Sequence, residues 1–467
     1  MYAPARAGGL DRDDGNRLPR VRTAPPLPAG PPLRAAATRA RSSGLDAALA
    51  LAAWFGLVVA GRLLVEPLNR SDPFVHVANA PLVGLYFPST TWLIVPPLLL
   101  GTAAVAWGPM LAERLSFRGV LLAAGGAAFA WPFLLALSDG PQHVIDPLVT
   151  RYEILHDVPF AVTQHDFLGS FTALAAGYDF HVHAHPPLLV VVFIGLHQIG
   201  LVGGWPAAVV VLAVGALAAP AAVAATRALA GEPYARAAAP FLVFAPAAVW
   251  IGTSTDAFYM GLAAVGVALF AVAASRPAGG WADAGSLAGG IVFGASLFTT
   301  YGIVPLGLIV LAITVYRRAW RSLALAVAGL VAVFLAFYAR GFSWFDGLQT
   351  ARELQLAGVF EHRPYLEFVV ASPAAFALVV GPAVAVGLAR LRRHGAWILC
   401  GAALAGLVAA DLSGYARGET ERVWLPFAPW LLLAAGAASR SVRGRQGWLA
   451  VQVTAALTLQ VAAKSPW

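Results

Sequence analysis

The sequence predicts an all-α protein that crosses a lipid membrane many times. Of its 467 residues, 59% are hydrophobic and only 12% are charged, and the mean hydropathy is +0.73. Apolar runs of roughly 20 residues, the length that crosses ~30 Å of hydrocarbon as a helix, recur from Leu45 onwards. Inside lipid such runs must be helical, because every backbone polar group has to be satisfied within the segment. This composition excludes a water-soluble globular domain.

The net charge of +8 comes mainly from one part of the chain. Residues 1–42 contain eight Arg and three Asp, which accounts for +5. The segment is rich in Pro, Ala, Gly and Arg and has no hydrophobic period, so we predict a disordered cytosolic tail over residues 1–43. Anionic membrane lipid is the expected partner of this tail. The localised charge therefore predicts no nucleic-acid partner.

Basic residues in short loops set the predicted orientation, because Arg and Lys are retained on the cytoplasmic side. Such clusters recur at 114–118, 227–236, 276, 317–321, 390–393 and 440–445. Placing them inside predicts a cytoplasmic membrane protein with a cytosolic N-terminus and 13 spans. The predicted spans lie near 44–66, 89–108, 119–137, 206–226, 237–252, 257–275, 283–301, 303–316, 322–339, 367–390, 396–411, 424–438 and 447–463.

The apolar run 186–202 does not fit this count, because a full crossing there would invert every later loop. We therefore predict a re-entrant or interfacial helix on the outer side, which its short length also allows. Two leading helices, residues 44–118, then precede a core of residues 119–467. The unusual polar residues gather in the outer loops of this core, mainly 138–185, 341–366 and 412–423, with short outer turns at 253–256 and 299–301.

The longest outer loop contains three candidate catalytic acids, Asp146, Glu153 and Asp157. It includes Arg151-Tyr152 and ends in His183-Ala-His-Pro-Pro-Leu. An acid shortly after a transmembrane helix, an Arg-Tyr a few positions on, and a His-Pro-Pro-Leu that opens an apolar helix resemble the first extracytoplasmic loop of GT-C glycosyltransferases. Protein O-mannosyltransferases and aminoarabinose lipid A transferases show this likeness best.

In that family an acid of this loop acts as the base, or orients the acceptor, while a sugar leaves a polyprenyl phosphate. Asp146 best matches the family position, although Pro147 follows it where the family usually has paired acids. Glu153 and Asp157 remain rival candidates. All three acids are also compatible with simple solvation of a loop.

A second likeness covers roughly residues 119–440 and relates the chain to actinobacterial multi-pass proteins described as GT-C-like. The segments that carry it are Tyr152-Glu-Ile-Leu-His-Asp-Val-Pro159, His183-Ala-His-Pro-Pro187, Thr253-Ser-Thr-Asp256, Arg363-Pro-Tyr365 with Gly381-Pro382, and Glu419-Thr-Glu-Arg422-Val-Trp-Leu-Pro-Phe427. This likeness indicates membership of a group and says little about substrate.

A lipid-linked donor keeps its phosphate at the membrane interface, where Arg forms forked hydrogen bonds to phosphate oxygens. Arg363, Arg417 and Arg422 lie in outer loops, against the usual bias of positive charge. Glu419 and Glu421 offer a structural alternative as local ion-pair partners. The predicted substrate-binding residues are Arg151, Tyr152, His183, His185, Asp256, Tyr301, Arg363, Tyr365, Arg417, Glu419, Glu421 and Arg422.

His181, His183 and His185 would face one way in an extended segment, which leaves a zinc site conceivable. Interfacial histidines that precede a helix start at Pro186-Pro187 explain the pattern equally well. We therefore assign no metal ligands. No cofactor is required by the motifs, and a divalent cation stays open.

The absence of a Gly-rich phosphate loop before a helix and of Cys-x-x-Cys and Gly-x-Ser-x-Gly motifs disfavours a soluble nucleotide-sugar donor. The single cysteine, Cys400, lies in an apolar run. The sequence thus predicts a glycosyltransferase that moves a sugar, with inversion, from a polyprenyl-phosphate donor to an extracytoplasmic glycan, lipid or protein of the cell envelope. The alternatives are a transporter or flippase for lipid-linked substrates and a non-catalytic GT-C-like envelope scaffold.

Overall fold

The computed structural model describes Met1 and residues 33–252, 254–391 and 395–464. For residues 33–43, Pro73 and Val359 only the backbone is described. Residues 2–32 of the predicted tail, Thr253, Arg392 and Arg393 lie outside the described residues. The chain divides into two compact units, Met1–Leu45 and Asp46–Trp467, and the candidate site lies within the second.

The prediction of an all-α fold is confirmed. The first helices are α1 (Leu33–Ser71), α2 (Val95–Arg114), α3 (Phe117–Leu137), α4 (Asp146–Val149), α5 (Ile154–Thr163), α6 (Phe167–Leu174), α7 (Phe180–His183), α8 (Leu188–Gln198), α9 (Gly204–Ala216), α10 (Ala218–Ala230), α11 (Glu232–Val243) and α12 (Ala248–Ile251). The later helices are α13 (Asp256–Ala274), α14 (Gly280–Leu297), α15 (Gly307–Arg317), α16 (Trp320–Ala339), α17 (Trp344–Leu356), α18 (Tyr365–Val380), α19 (Pro382–Arg390), α20 (Trp397–Leu412), α21 (Thr420–Val423), α22 (Ala428–Leu432) and α23 (Val442–Ala462).

The described residues also form several short 3-10 turns and two very short strands. Strand β1 (Leu85–Tyr86) pairs antiparallel with β2 (Ala463–Lys464), with Leu85 opposite Lys464. The pairing connects the segment between α1 and α2 to the end of α23. Lys464 also contacts Asp139 after α3, at 2.8 Å between Nζ and Oδ1.

Six helical segments of the described chain are long and apolar enough to cross a membrane, or seven if one bent pair is a single span. The six are Gly44–Ser71, Trp92–Arg114, Phe117–Leu137, Gly204–Ala230, Asp256–Ala274 and Trp320–Ala339. Each coincides with a predicted span, and the chain has the character of an integral membrane protein. The predicted total of 13 is not confirmed, because several predicted spans are short or broken helices.

The bent pair shows how such a break arises. Helices α18 and α19 meet at 94°, where Gly381 adopts φ +78° and Pro382 begins the next helix. The backbone groups released by the break are satisfied by Gln452 of α23. Its Nε2 donates to Val380 O at 2.8 Å, and its Oε1 accepts from Ala383 N at 3.4 Å. The predicted span 367–390 is therefore two helices with a polar side chain between them.

The run 186–202 forms only the 11-residue helix α8. At 1.5 Å per residue, α8 is about 16 Å long, well short of ~30 Å of hydrocarbon. Its length agrees with a helix that does not cross a membrane alone.

Candidate functional site

The centre of the candidate site is the buried side chain of Arg422, which is 2% exposed. Its Nη1 lies 3.0 Å from Asp256 Oδ2 and 3.6 Å from Glu153 Oε1. Its Nη2 donates to Glu419 Oε2 at 3.0 Å. Burial alone would lower the pKa of Arg422, but the three acids raise it above its ordinary value. A buried charge is tolerated only when compensated, so these carboxylates are what keeps Arg422 inside the protein.

His181 connects two members of this group. Its Nδ1 lies 2.9 Å from Glu153 Oε1, and its Nε2 contacts Arg422 Nη2. Because a guanidinium only donates hydrogen bonds, Nε2 must be the accepting nitrogen and Nδ1 carries the proton. Burial would raise the pKa of Glu153, but His181 and Arg422 lower it below its ordinary value. His181 thus bridges an ionised acid and a guanidinium.

Arg363 is a second buried cation beside the first. Its Nη1 lies 3.3 Å from Glu419 Oε1, and its Nε donates to Val75 O at 3.0 Å. Gly418 permits this approach, since it adopts φ +81° and an added β-carbon would lie 3.1 Å from Arg363 Nη1. Burial would raise the pKa of Glu419, but Arg422 and Arg363 outweigh it and lower the pKa to about 2. Glu419 is therefore ionised and held by two guanidinium groups.

These side chains come from five separate stretches of the chain. Glu153 precedes α5, His181 lies in α7, Asp256 begins α13, Arg363 precedes α18, and Glu419 and Arg422 lie just before and within α21. We refer to Glu153, His181, Asp256, Arg363, Glu419 and Arg422 as the Arg422 cluster. Sequence analysis placed all of these positions in outer loops or turns, and the structure brings them into contact.

A cavity adjoins the Arg422 cluster, with about 60 Å³ of space. By the same measure a water takes about 10–15 Å³, so the cavity has room for a group the size of a phosphate. Its lining includes Phe180, His181, Ala184, His185, Thr300, Gly302, Gln355, Phe360, Arg363, Tyr415, Ala416, Arg417, Gly418, Glu419, Arg422 and Val423.

Four polar groups that line this cavity have no hydrogen-bond partner among the described residues. They are both ring nitrogens of His185, Gln355 Oε1, Tyr415 Oη and Arg417 Nε. Buried polar atoms in folded proteins are nearly always hydrogen-bonded. Burial, together with His181 and Arg422, holds the pKa of His185 well below its usual range, so its ring is neutral and offers one donor and one acceptor. These groups indicate a polar ligand.

Arg417 differs from the two arginines of the cluster. Its Nη1 donates to the backbone oxygen of Arg363 at 3.1 Å, and its guanidinium lies 5.2 Å from the ring centre of Phe360. Within the described part of the chain no carboxylate forms an ion pair with it. In the cluster itself, two guanidinium groups face three carboxylates. Arg417 is therefore the cation of the cavity whose charge remains available to an anion.

Glu421 points away from the cluster toward the segment between α1 and α2. Its Oε1 accepts from Val83 N at 2.9 Å, while Oε2 is buried with no hydrogen-bond partner among the described residues. Burial raises the pKa of Glu421 to about 7. Unlike Glu419, Glu421 is thus not an ion-pair partner of the outer arginines.

Asp146 lies outside the cavity lining. Its side chain is 45% exposed and lies 4.0 Å from His143 Nδ1, and Gln142 Nε2 donates to it at 3.0 Å. Arg151 and Tyr152 are also exposed, and the Arg151 guanidinium lies 4.5 Å from the centre of the Tyr152 ring. These three residues contact neighbours in their own loop, which is compatible with simple solvation.

Asp157 lies apart from both the Arg422 cluster and Asp146, in a group with His156 and Asp179. One ligand atom from each lies within 4.8 Å of the others, with His156 Nδ1 at 2.7 Å from Asp179 Oδ2. Burial, the largest effect, raises the pKa of Asp157. An imidazole and two carboxylates form a donor set that suits a divalent cation, which sequence analysis had left open as a cofactor.

His181, His183 and His185 would face one way only in an extended segment, and the structure does not meet this condition. Residues Phe180–His183 form a helical turn rather than an extended segment, so consecutive odd positions point in different directions. His181 meets the Arg422 cluster, His183 Nδ1 contacts Tyr178 O at 3.1 Å, and His185 lines the cavity. The three imidazoles do not form one ligand set.

Two predicted aromatic residues have structural partners. Tyr301 is buried against Trp344, with ring centres 5.1 Å apart. Tyr365 Oη donates to Leu412 O at 2.8 Å, and its ring lies 5.7 Å from the Arg417 guanidinium. Neither ring is part of the cavity lining, so their predicted contact with substrate stays a prediction.

His181, Gln355 and Tyr415 were not predicted from the sequence as substrate-binding residues. A histidine beside a phenylalanine in a loop gives no signal of a buried ion pair, and Gln355 lies on the otherwise unremarkable helix α17. The one available signal was the density of polar residues in 411–422, which includes Tyr415 next to Arg417.

No protein-family model matches the chain, and no curated protein matches it significantly. Among solved structures it is similar to ArnT from Cupriavidus metallidurans in the apo state, with 19% identity over 58% of this chain and 54% of that chain and a TM-score of 0.38. It is also similar to the same protein bound to undecaprenyl phosphate, with 18% identity over 61% of this chain and 59% of that chain and a TM-score of 0.39.

At 18–19% identity and TM-scores of 0.38–0.39, these similarities carry no argument about function, and the likeness to GT-C membrane glycosyltransferases stays a prediction from the sequence. The matched region spans less than two thirds of ArnT. A similarity this loose transfers neither individual residues nor an activity. The candidate site of this chain therefore depends on its own geometry.

Loss of the Arg422 charge should destabilise the protein strongly. In Arg422→Met, three buried carboxylates lose their common partner, which typically costs about 3–5 kcal/mol. Thermal unfolding in detergent should show a large drop in Tm. Arg321→Met is the matched control, because its ion pair with Asp283 is 71% and 27% exposed and such pairs contribute about 0–1 kcal/mol. Equal Tm values for the two variants would contradict a structural role for Arg422.

Glu421 should make stability depend on pH. The folded protein holds the Glu421 proton up to about pH 7, whereas the ordinary pKa is 4.5. Between those values the unfolded chain has lost a proton that the folded chain retains, so stability falls as pH rises, by up to about 1.4 kcal/mol per pH unit. Glu421→Gln should remove this fall while still accepting from Val83 N. Parallel Tm–pH curves for wild type and variant across that window would show that Glu421 titrates normally.

Proposed function

We propose that this chain is a membrane glycosyltransferase that transfers a sugar from a polyprenyl-phosphate donor to an acceptor on the extracytoplasmic side of the cytoplasmic membrane. The observation that carries the proposal is the cavity beside the Arg422 cluster. It combines the unsatisfied polar atoms of His185, Gln355 and Tyr415 with Arg417, a cation that forms an ion pair with no described carboxylate. A sugar phosphate offers several hydroxyls and one anionic group, which is the chemistry that such a cavity recognises.

The donor phosphate is assigned to Arg417. Its buried Nε has no partner, and a guanidinium forms parallel hydrogen bonds to two phosphate oxygens. Arg363 and Arg422 contribute less charge, because Glu419, Asp256 and Glu153 already offset them. Their role is to fix the cavity wall. Arg417 alone then stabilises the negative charge that develops on the departing phosphate.

The sugar hydroxyls are assigned to His185, Gln355 and Tyr415. His185 is neutral and offers one donor and one acceptor, Gln355 Oε1 accepts, and Tyr415 Oη can do either. All three lie in the wall that also contains Arg417. The cavity of about 60 Å³ holds only a phosphate-sized group, so part of the sugar ring lies outside it.

Glu419 is the carboxylate that lines the cavity, and we assign it the role that sequence resemblance gave to Asp146. Its ionised oxygens retain free lone pairs that accept the acceptor hydroxyl. The hydroxyl oxygen bonds to the anomeric carbon as the carbon–oxygen bond to the phosphate breaks. The electron pair leaves with the polyprenyl phosphate, and the hydroxyl proton passes to the carboxylate. Attack opposite the leaving phosphate inverts the anomeric carbon.

Arg417→Gln should lower transfer about a hundredfold, the usual effect of removing one charge-stabilising donor, and Arg417→Lys should restore part of it. The measurement is mass spectrometry of envelope glycans and lipids from a deletion strain complemented with each variant. Arg340→Gln is the matched control, because Arg340 is an exposed arginine at the end of α16. If the chain is a transferase, one glycan of the deletion strain should lack a defined sugar. Wild type and Arg340→Gln should restore this sugar fully, and Arg417→Lys should restore it in part.

Two outcomes of the same experiment would count against transfer. If a polyprenyl-linked precursor accumulates with its sugars complete, the chain moves lipid rather than transferring sugar. If no variant, including the deletion, changes any glycan, the chain is a scaffold.

Amide substitutions distinguish the catalytic roles of Glu419 and Asp146. Glu419→Gln should abolish transfer, whereas Asp146→Asn should retain it, because the Asp146 side chain is 45% exposed and its polar partners among the described residues belong to its own loop. The initial transfer rate and the Tm of each purified variant are measured together, so that a folding defect of Glu419→Gln is recognised. Glu419→Asp, which keeps the charge, should recover stability more fully than rate. Loss of transfer in Asp146→Asn at normal Tm would return the catalytic role to Asp146.

A further inference from the structure

A second concave surface lies at the opposite end of α13 from the Arg422 cluster. It is a groove of about 390 Å³ between α10, α13 and the start of α14. Its lining is apolar except at one end, where Arg276 and Trp281 lie. Asp256, at the start of α13, is 19 helical residues from that end, or about 28 Å at 1.5 Å per residue. This lipid groove, as we call it, is separate from the candidate transfer site.

The groove faces the place where a bilayer would be. Helix α10 lies in the segment Gly204–Ala230, and α13 forms Asp256–Ala274; both are long and apolar enough to cross a membrane. Leu217 and Leu269, which line the groove, are 47% and 36% exposed. Water is unfavourable on such a surface, so hydrocarbon must fill the space.

The groove has the length of one leaflet. On α13 its lining extends from Val265 to Ala273, which is about 12 Å at 1.5 Å per residue. Half of a hydrocarbon core of ~30 Å is about 15 Å. A single acyl chain that enters from the end with Arg276 therefore fits along α13.

The polar end of the groove has the features of a headgroup site. Arg276 is exposed and, in the described part of the chain, has no side-chain hydrogen bond or ion pair. The nearest acid in sequence, Asp283, is already bound by Arg321 at 2.7 Å. Trp281 is 88% exposed, and tryptophan is enriched at the depth of lipid headgroups. Basic pockets between membrane helices favour anionic lipid phosphates.

We propose that the lipid groove binds one anionic phospholipid, with an acyl chain along α13 and the phosphate on Arg276. The guanidinium forms hydrogen bonds to the phosphate oxygens, and Trp281 packs at the level of the headgroup. A zwitterionic lipid has the same tails but no net charge. The proposal therefore predicts selectivity for net negative charge in addition to a fit for the chain.

Native mass spectrometry of the delipidated full chain in detergent tests this proposal, with phosphatidylglycerol and phosphatidylcholine of identical tails as probes. Wild type should retain one phosphatidylglycerol more tightly than phosphatidylcholine. Arg276→Gln should weaken phosphatidylglycerol binding about fivefold, the effect of one interfacial arginine, and leave phosphatidylcholine unchanged. Arg443→Gln, which removes an exposed arginine at the start of α23, should change neither.

A groove-filling variant tests the position of the chain. Ala224 lines the groove, and Ala224→Phe should weaken both lipids; if this variant does not fold, the two arginine variants still decide. Equal binding of the two lipids by wild type would overturn the proposal, as would equal losses in Arg276→Gln and Arg443→Gln. Displacement of phosphatidylglycerol by undecaprenyl phosphate at equal concentration would assign the groove to a prenyl lipid instead.

Discussion

Arg422 is buried among carboxylates that come from distant parts of the chain, and the arrangement of the candidate site depends on this constraint. A guanidinium inside protein requires opposite charge and full hydrogen bonding. Glu153, Asp256 and Glu419 provide the charge, and His181 accepts a further contact from Nη2. Each of the three carboxylates lies at the start of a helix. The ion pairs of Arg422 therefore also fix where α5, α13 and α21 begin. The cavity wall follows from these positions rather than from packing of apolar side chains alone.

The same electrostatic arrangement determines what the cavity can bind. Because the carboxylates offset the positive charges of Arg363 and Arg422, the Arg422 cluster is stabilised by its own ion pairs. It offers little net charge to a ligand. Arg417, which contacts backbone oxygens and aromatic rings instead, keeps its charge available. The unsatisfied atoms of His185 and its neighbours then provide neutral recognition beside a cation. The lipid groove at the other end of α13 likewise contains an arginine whose charge is available to a ligand, because Arg276 has no acidic partner within the described residues.

Much of the fold could be predicted from hydropathy, since six predicted spans correspond to long apolar helices. The breaks could not be predicted, because they depend on distant partners: Gln452 satisfies the backbone at Gly381 only when α23 packs there. At the site, outer arginines and acids were predicted as a set, with Asp256 and Glu153 among them. Which acids meet Arg422 depends on tertiary contact, so His181 was missed as its partner and Asp146 was favoured on motif alone.

The central claim is that the cavity beside the Arg422 cluster binds a lipid-linked phosphate through Arg417. The most direct measurement is an electron cryo-microscopy structure of the protein in lipid nanodiscs with undecaprenyl phosphate added. Phosphate density is expected within hydrogen-bonding distance of the Arg417 guanidinium, with the contacts of Arg422 to Asp256 and Glu419 unchanged. Phosphate density in the exposed loop beside Arg151 and Asp146, with the cavity holding only water, would contradict it.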